Sequence, residues 1–138
     1  MKLNQVLLTL SLTLALAVGA QASMSTVAEK ARAAKQHATE IEAMLKTKNI
    51  DAAKVAEKAS LLHNHAVEIH QTVSSMENKS AEVARVEEAA RIMKVLTETK
   101  LNLAKNATAK DRDALRASAK NLALRAEQIA KTAAKIGG

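Results

Sequence analysis

The clearest pattern in the chain lies between Asp51 and Met76, in the sequence DAAKVAEKASLLHNHAVEIHQTVSSM. Apolar residues recur there in alternating steps of three and four, at Ala52, Val55, Ala59, Leu62, Ala66, Ile69, Val73 and Met76. This spacing is typical of a heptad seam along one face of a helix. Three of the four histidines, His63, His65 and His70, flank the seam. We therefore predict that this segment is the central helix of the fold and carries most of its chemistry.

Seams of the same kind predict three further helices, from about Ser25 to Leu45, from Ala81 to Lys105 and from Thr108 to Ile136. The first seam consists of Val27, Ala31, Ala34, Ala38, Ile41 and Leu45. The third is less regular and consists of Val86, Ala89, Met93, Leu96 and Leu103, with Ile92, Val95 and Leu101 broadening it. The fourth consists of Leu115, Ala119, Leu122, Ala126, Ile129, Ala133 and Ile136. Short links require antiparallel neighbours. The chain is therefore predicted to be all-α, an up-down-up-down antiparallel four-helix bundle.

Residues at the predicted helix ends are suited to capping. Thr26 and Glu29 have the spacing of a capping box, and Asp51 and Ser80 are good N-cap residues. Asn49 tolerates the left-handed conformation that ends a helix. These signals place the first two links near residues 46–49 and 77–80.

One internal repeat relates the two halves of the chain. The pattern Ala66-x-x-Ile69-x-x-Thr72 recurs sixty residues later as Ala126-x-x-Ile129-x-x-Thr132. The repeat favours a duplicated helical hairpin.

The N-terminus has the composition of an export signal. Lys2 supplies a positive charge, an apolar run follows, and Ala20-Gln21-Ala22 resembles a signal-peptidase site. We predict a signal peptide at residues 1–22 and a bundle domain at 23–138, in the periplasm or secreted. Removing residues 1–22 leaves 20 basic and 14 acidic side chains, a net charge of +6. The chain has no cysteine and therefore no disulfide to stabilise it.

Composition also narrows the function classes. The chain has no Phe, Tyr or Trp, so no aromatic ring can stack on bases, and nucleic-acid binding is not expected. Neither a nucleophile triad nor a glycine-rich phosphate loop is present, so no enzyme activity and no nucleotide are expected. Haem is not expected either, because there is no covalent attachment motif and the fourth helix has no histidine. A basic exported helical protein can instead meet anionic lipid or an acidic protein partner, as a monomer or a homodimer.

Histidine is the residue type with an evident chemical use. On facing flanks of an antiparallel pair, His37 and His65 are offset by one turn, about 6 Å. With His37-x-x-Glu40 and His65-x-x-Glu68, two nitrogens and two oxygens are predicted on one outer edge. Such ligands suit Cu(II), Ni(II) or Zn(II). The alternative is that each glutamate simply hydrogen-bonds or forms an ion pair with a neighbour.

The remaining histidines complete the candidate set. His63 and His70 are seven residues apart on the other flank, about 10 Å along the helix, too far to chelate one ion directly. We therefore predict His37, His63, His65, His70, Glu40 and Glu68 as metal-ligating residues.

A part of the chain resembles small exported metal-binding proteins that are built as histidine-rich four-helix bundles. The residues that carry the resemblance are His37-Ala38, Glu40, Asp51, Lys58, Ser60, Leu61 and His63. The resemblance implies copper or other divalent metal binding, with His37 and His63 as the best-matched positions, and a part in metal storage or detoxification. This chain departs from that family in having four histidines, none after His70.

The predicted function is weak transition-metal binding or buffering in the periplasm, with Cu(II) or another divalent ion. The alternative is a non-catalytic structural, interaction or stress protein that presents its helical faces to a protein or an anionic lipid.

Overall fold

A computed structural model describes residues 2–99 and 112–137, with side chains described from residue 23 onward. The chain is an all-α four-helix bundle. Its helices are α1 (Lys2–Leu45), α2 (Ala52–Ser74), α3 (Ala81–Thr99) and α4 (Arg112–Gly137). Within the described ranges there is no β-strand.

Side-chain pairs between helices establish the antiparallel order. Lys30 of α1 pairs with Glu68 of α2, His37 stacks on His65, and Glu40 pairs with Lys58. The residue numbers fall in α2 as they rise in α1, so the two helices are antiparallel. Residue 63 of α2 contacts residue 97 of α3, and residue 82 of α3 pairs with residue 135 of α4. Each helix packs against two neighbours, in the ring α1–α2–α3–α4. The predicted up-down-up-down bundle is confirmed.

The core follows the predicted seams. The buried residues of α2 are Val55, Ala59, Leu62, Ala66, Ile69 and Val73. Each of these positions has a buried counterpart 28 residues earlier in α1 and another 60 residues later in α4. One heptad pattern is therefore used three times, and the three helices present equivalent faces to a common core.

Alanine holds alternate positions of these seams. In α4, Ala119, Ala126 and Ala133 alternate with Leu115, Leu122 and Ile129, and all six are buried. A methyl group lets neighbouring backbones approach closely, while the large aliphatic residues fill the remaining space. The interface between α1 and α4 is the most extensive of the four, and the α1 seam also contains three buried alanines, Ala31, Ala34 and Ala38.

Two predicted helix caps are confirmed. The Asp51 carboxylate accepts a hydrogen bond from the Lys54 backbone N–H at 3.2 Å, and the Ser80 hydroxyl accepts one from the Val83 N–H at 3.2 Å. The left-handed asparagine in the described chain is Asn78, at φ 53°, and not Asn49. Asparagine is among the few residues that enter this region readily, and here it turns the chain between α2 and α3.

Some sequence expectations are wrong. The predicted helix start near Ser25 is wrong, because α1 runs without a break from Lys2 and no proline or capping glycine interrupts it. Val95 was expected to broaden the apolar face of α3, but it is 43% exposed. The predicted positions of Leu101, Leu103 and the helix end at Lys105 lie outside the described residues.

The predicted signal-peptide boundary after Ala22 lies inside α1 and stays a prediction. Among the described residues, no helix is both long enough and apolar enough to cross a bilayer.

The alanine seam yields a test of packing. Substituting Ala126→Leu adds three carbons where the side chain is fully buried, and we expect the free energy of unfolding to fall by about 1–3 kcal/mol. Both residues are strong helix formers, so helix propensity contributes little. The measurement is urea unfolding followed by far-UV circular dichroism. The matched control is Ala117→Leu at an exposed position of the same helix, where we expect a change within about 0.5 kcal/mol. Equal losses in the two variants would contradict the close-packed seam.

Candidate metal centre

The six predicted ligands lie in two regions, one on each side of α2. His65 and Glu68 lie on the flank that faces α1, opposite His37 and Glu40. His63 lies on the other flank and contacts α3. All four histidines are half-buried, at the boundary between the core and solvent. The structure therefore brings part of the predicted set together and keeps part of it apart.

His37 and His65 are in ring contact across the α1–α2 interface. Their ring centroids are 5.6 Å apart and the ring planes are 9° from parallel. Ala38 and Ala66, the seam residues that follow each histidine, are fully buried. These alanines let the two backbones approach each other, which brings the flanking imidazoles together.

An ion pair lies on each side of the stacked rings. Lys58 Nζ is 2.8 Å from Glu40 Oε2, and Lys30 pairs with Glu68. Glu40 also accepts a hydrogen bond from Gln36 Nε2 at 3.1 Å. The two predicted carboxylate ligands are thus engaged by ammonium groups, and the ammonium group comes from the opposite helix in both cases.

We call six residues the histidine edge: Lys30, His37, Glu40, Lys58, His65 and Glu68. They have local two-fold symmetry. Lys30-x₆-His37-x₂-Glu40 in α1 repeats as Lys58-x₆-His65-x₂-Glu68 in α2. When two copies of this pattern run antiparallel, each lysine meets the glutamate of the other copy and the histidines meet each other. Sequence reasoning missed the two lysines; the signal that finds them is this repeat at an offset of 28 residues.

The nitrogen atoms of the stacked rings differ in their surroundings. Nδ1 of His37 and Nδ1 of His65 are both buried and have no hydrogen-bond partner among the described residues. Neither Nε2 belongs to the buried, unpartnered atoms of the described chain. A metal ion that binds these rings would have to do so at Nε2, because protein encloses both Nδ1 atoms.

Burial and charge set the protonation of the histidine edge. Burial lowers the pKa of His37 below its ordinary value, and Lys58 and His65 lower it further, while Glu40 acts in the opposite direction. The hydrogen bond from Lys58 lowers the pKa of Glu40, and the bond from Lys30 lowers the pKa of Glu68. At neutral pH His37 is therefore a neutral imidazole, the form that binds metal ions.

The two histidines on the other flank have separate partners. His63 Nδ1 is 2.7 Å from the hydroxyl of Thr97 in α3, and His63 Nε2 is 3.7 Å from Glu98 Oε1. His70 Nε2 is 3.4 Å from the Ser74 hydroxyl within its own helix. Sequence reasoning missed Thr97 and Glu98, because their contact with His63 depends on the register between α2 and α3.

No single cluster unites the predicted ligands. Within the ranges that the structure describes, no group of three or more His, Cys, Asp or Glu side chains is arranged to hold a metal ion. The arrangement offers pairs of donors instead, and a metal bound to such a pair would complete its coordination with water.

Comparisons of this chain with protein-family models, with curated proteins and with solved structures give no match. The resemblance to exported histidine-rich metal-binding bundles stays a prediction.

The protonation of His37 yields a test by pH. Because its pKa is lower in the folded chain than its ordinary value of 6.5, the unfolded chain binds this proton more readily. The stability that His37 contributes is therefore present above pH 6.5 and is lost as the pH falls through the folded pKa. The urea midpoint of wild type should fall from about pH 8 to about pH 5, before the carboxylates titrate.

The variant His37→Gln should show a smaller fall over the same pH range. The groups that face His37, namely Lys30, Lys58, His65, Glu40 and Glu68, are unchanged in it. Asn64→Gln is the matched control: it changes an uncharged, exposed residue next to His65 and should keep the wild-type pH dependence. The same pH dependence in wild type and His37→Gln would contradict the lowered pKa of His37 in the folded chain.

Proposed function

We propose that this protein binds a transition-metal ion weakly, at the histidine edge, through His37 and His65. The observation that supports the proposal is the contact of two imidazoles from adjacent helices, with ring centroids 5.6 Å apart and ring planes 9° from parallel.

The spacing of the two rings suits a shared ion. With metal–nitrogen distances of about 2.0–2.1 Å, two imidazoles on one ion have ring centres about 4.5–6 Å apart. The observed 5.6 Å falls in this range. Because the ring planes are nearly parallel, the rings must tilt towards each other to direct both Nε2 lone pairs at one ion. No hydrogen bond at either Nδ1 opposes the tilt in the described chain.

Three features of the histidine edge weaken the binding. The histidine nitrogens that would face away from the ion lack the outer hydrogen-bond partner that usually orients a ligating imidazole. Glu40 and Glu68 are already paired with lysines, and the cationic groups of Lys30 and Lys58 repel a divalent ion. We therefore propose a reversible buffer for Cu(II) or another divalent ion, not a store that holds metal tightly.

The proposal also includes the compartment in which the protein acts. The predicted signal peptide would direct the bundle to the periplasm, and the cysteine-free composition avoids thiolate oxidation there. No catalytic activity is proposed, and no haem or nucleotide.

The composition of the chain makes a direct experiment possible. Because Phe, Tyr and Trp are absent, the four histidines provide all carbon-bound aromatic proton signals in a nuclear magnetic resonance spectrum. Their ring signals can be assigned by four single His→Gln variants. Each candidate ligand then reports separately on metal binding.

We expect substoichiometric Cu(II) to broaden the His37 and His65 ring signals together, and Zn(II) to shift them together. In the single variant His37→Ala the His65 ring signals should lose this response, and in His65→Ala the His37 ring signals should lose it. The matched control is His70→Ala, another half-buried histidine of the same bundle, which should keep it. Far-UV circular dichroism checks that each variant folds. Independent responses of His37 and His65, or no response of either at micromolar metal, would overturn the proposal.

A second candidate function is the binding of an anionic lipid surface. A groove of about 230 Å³ lies between α3 and α4, with buried Val86 and Ile129 in its wall. Its exposed charged residues are Arg85, Lys135 and Glu82, and Glu82 pairs with Lys135 at 3.9 Å. Arg85 forms no ion pair within the described chain, so its charge is available to an anionic partner. An acidic protein surface is the alternative occupant.

The lipid candidate is tested by co-sedimentation with vesicles of phosphatidylglycerol and phosphatidylcholine at low and high salt. The variant Arg85→Gln should weaken partitioning by about 1 kcal/mol, and added salt should weaken it further. The matched control is Lys54→Gln, an exposed residue near the start of α2, which should change it less. Binding that is insensitive to salt and to Arg85→Gln would remove this candidate.

A further inference from the structure

The flank of α2 that faces α3 holds a second pair of nitrogen and oxygen atoms that face each other, distinct from the histidine edge. His63 has both ring nitrogens directed at α3, with Nδ1 at 2.7 Å from Thr97 Oγ1 and Nε2 at 3.7 Å from Glu98 Oε1. We call these three residues the His63 site. It shares no residue with the histidine edge.

Thr97 determines which nitrogen of His63 carries the proton. Its hydroxyl lies 2.9 Å from the carbonyl oxygens of Met93 and Lys94, so its single proton is donated to the helix backbone. The hydroxyl oxygen therefore accepts from His63, and Nδ1 is the donor. Thr97 is only 4% exposed, which keeps this arrangement fixed.

The other nitrogen is then left facing a carboxylate. A neutral His63 with its proton on Nδ1 has a lone pair on Nε2, and Glu98 presents a second acceptor to it. Two acceptors that face each other can be bridged by a water molecule, by a proton on Nε2 or by a metal ion. Glu98 forms no other ion pair within the described ranges.

The distance between the two acceptors suits a metal ion. With metal–nitrogen and metal–oxygen distances of about 2.0–2.2 Å, two donors on one ion are about 2.9–4.2 Å apart. The observed 3.7 Å lies in this range and is too long for a hydrogen bond. An ion between them needs no movement of either helix.

We propose that His63 Nε2 and Glu98 Oε1 bind a divalent transition-metal ion, with water completing its coordination. Thr97 is a positioning residue: it holds the imidazole in the tautomer that directs Nε2 at the ion. This outer hydrogen bond is the feature that the histidine edge lacks, and outer partners of ligating histidines commonly change metal affinity about 10- to 100-fold. The proposal does not depend on the histidine edge.

The test follows the His63 ring signals during titration with Zn(II) at neutral pH, in the variant His37→Ala/His65→Ala. We expect the His63 signals to shift and saturate, while the His70 signals serve as an internal control and stay unchanged. Because the histidine edge is absent from this variant, the result is independent of the first proposal. That proposal is judged on the His37 and His65 signals of the wild type.

Four substitutions in α3 distinguish a role in metal binding from a role in structure. Thr97→Val keeps the shape but removes the acceptor, and should weaken Zn(II) affinity about 10- to 100-fold. Thr97→Ser retains the hydroxyl and should restore it. Glu98→Gln should also weaken binding, whereas Glu88→Gln, an exposed carboxylate of the same helix near His70, should not. Nitrogen shifts of His63 should show the proton on Nδ1 in wild type and Thr97→Ser.

The proposal is overturned if the His63 signals do not respond to Zn(II). It is also overturned if they respond with equal affinity in wild type, Thr97→Val and Glu98→Gln. If Glu98→Gln alters the protonation of His63 while Zn(II) causes no response, then a proton, and not a metal ion, occupies the space between His63 Nε2 and Glu98 Oε1.

Discussion

Close approach of helix backbones is the constraint on which this structure depends. The chain has no aromatic side chain to fill a wide core, so its helices can bury enough surface only by packing closely. Alanine at alternate seam positions permits this, and Leu, Ile, Val and Met fill the remaining volume. The extensive α1–α4 interface and the fully buried Ala38 and Ala66 at the α1–α2 interface are two results of the same constraint.

The polar contacts of the bundle follow from that approach. When two seams pack closely, the residues that flank them reach across the interface, and His37 stacks on His65 for this reason. α2 has both of its flanks occupied in this way, by α1 on one side and by α3 on the other. The His63 hydrogen bond to Thr97 is the counterpart of the stacked pair on the second side. The two proposed metal sites are therefore products of one packing mode, and they differ in how firmly their imidazoles are oriented.

Much of the fold was predictable, because a heptad seam is a property of one helix at a time. The buried residues of α1, α2 and α4 match their predicted seams closely, and the meeting of His37 with His65 follows from the position of the first link. The seam of α3 was less predictable: Leu96 was the predicted seam residue, but it is half-buried and the neighbouring Thr97 holds the core position. The start of α1 was predicted from a capping pattern at Thr26. Such a pattern does not begin a new helix where the preceding residues are already helical and no residue interrupts them.

The partners of the predicted ligands were harder to predict than their positions. Glu40 and Glu68 were considered with neighbours on their own helices, whereas their lysines come from the opposite helix. That pairing depends on the register between two helices, which a single seam does not specify. The contact of His63 with Glu98 depends on a second register, set by the α2–α3 turn around Asn78.

The two-fold symmetry of the histidine edge has a consequence for assembly. Lys30, His37 and Glu40 are complementary to their own antiparallel copy as well as to the copy in α2, so two α1 helices from separate chains would make the same three kinds of contact. The contacts of the histidine edge are the same whether α1 packs against α2 or against the α1 helix of a second chain. The selection of α2 comes from the short tether between Leu45 and Ala52, which keeps it at a high effective concentration. Exchange of hairpins between molecules would therefore leave these side-chain contacts intact, and tether length is the quantity that opposes it.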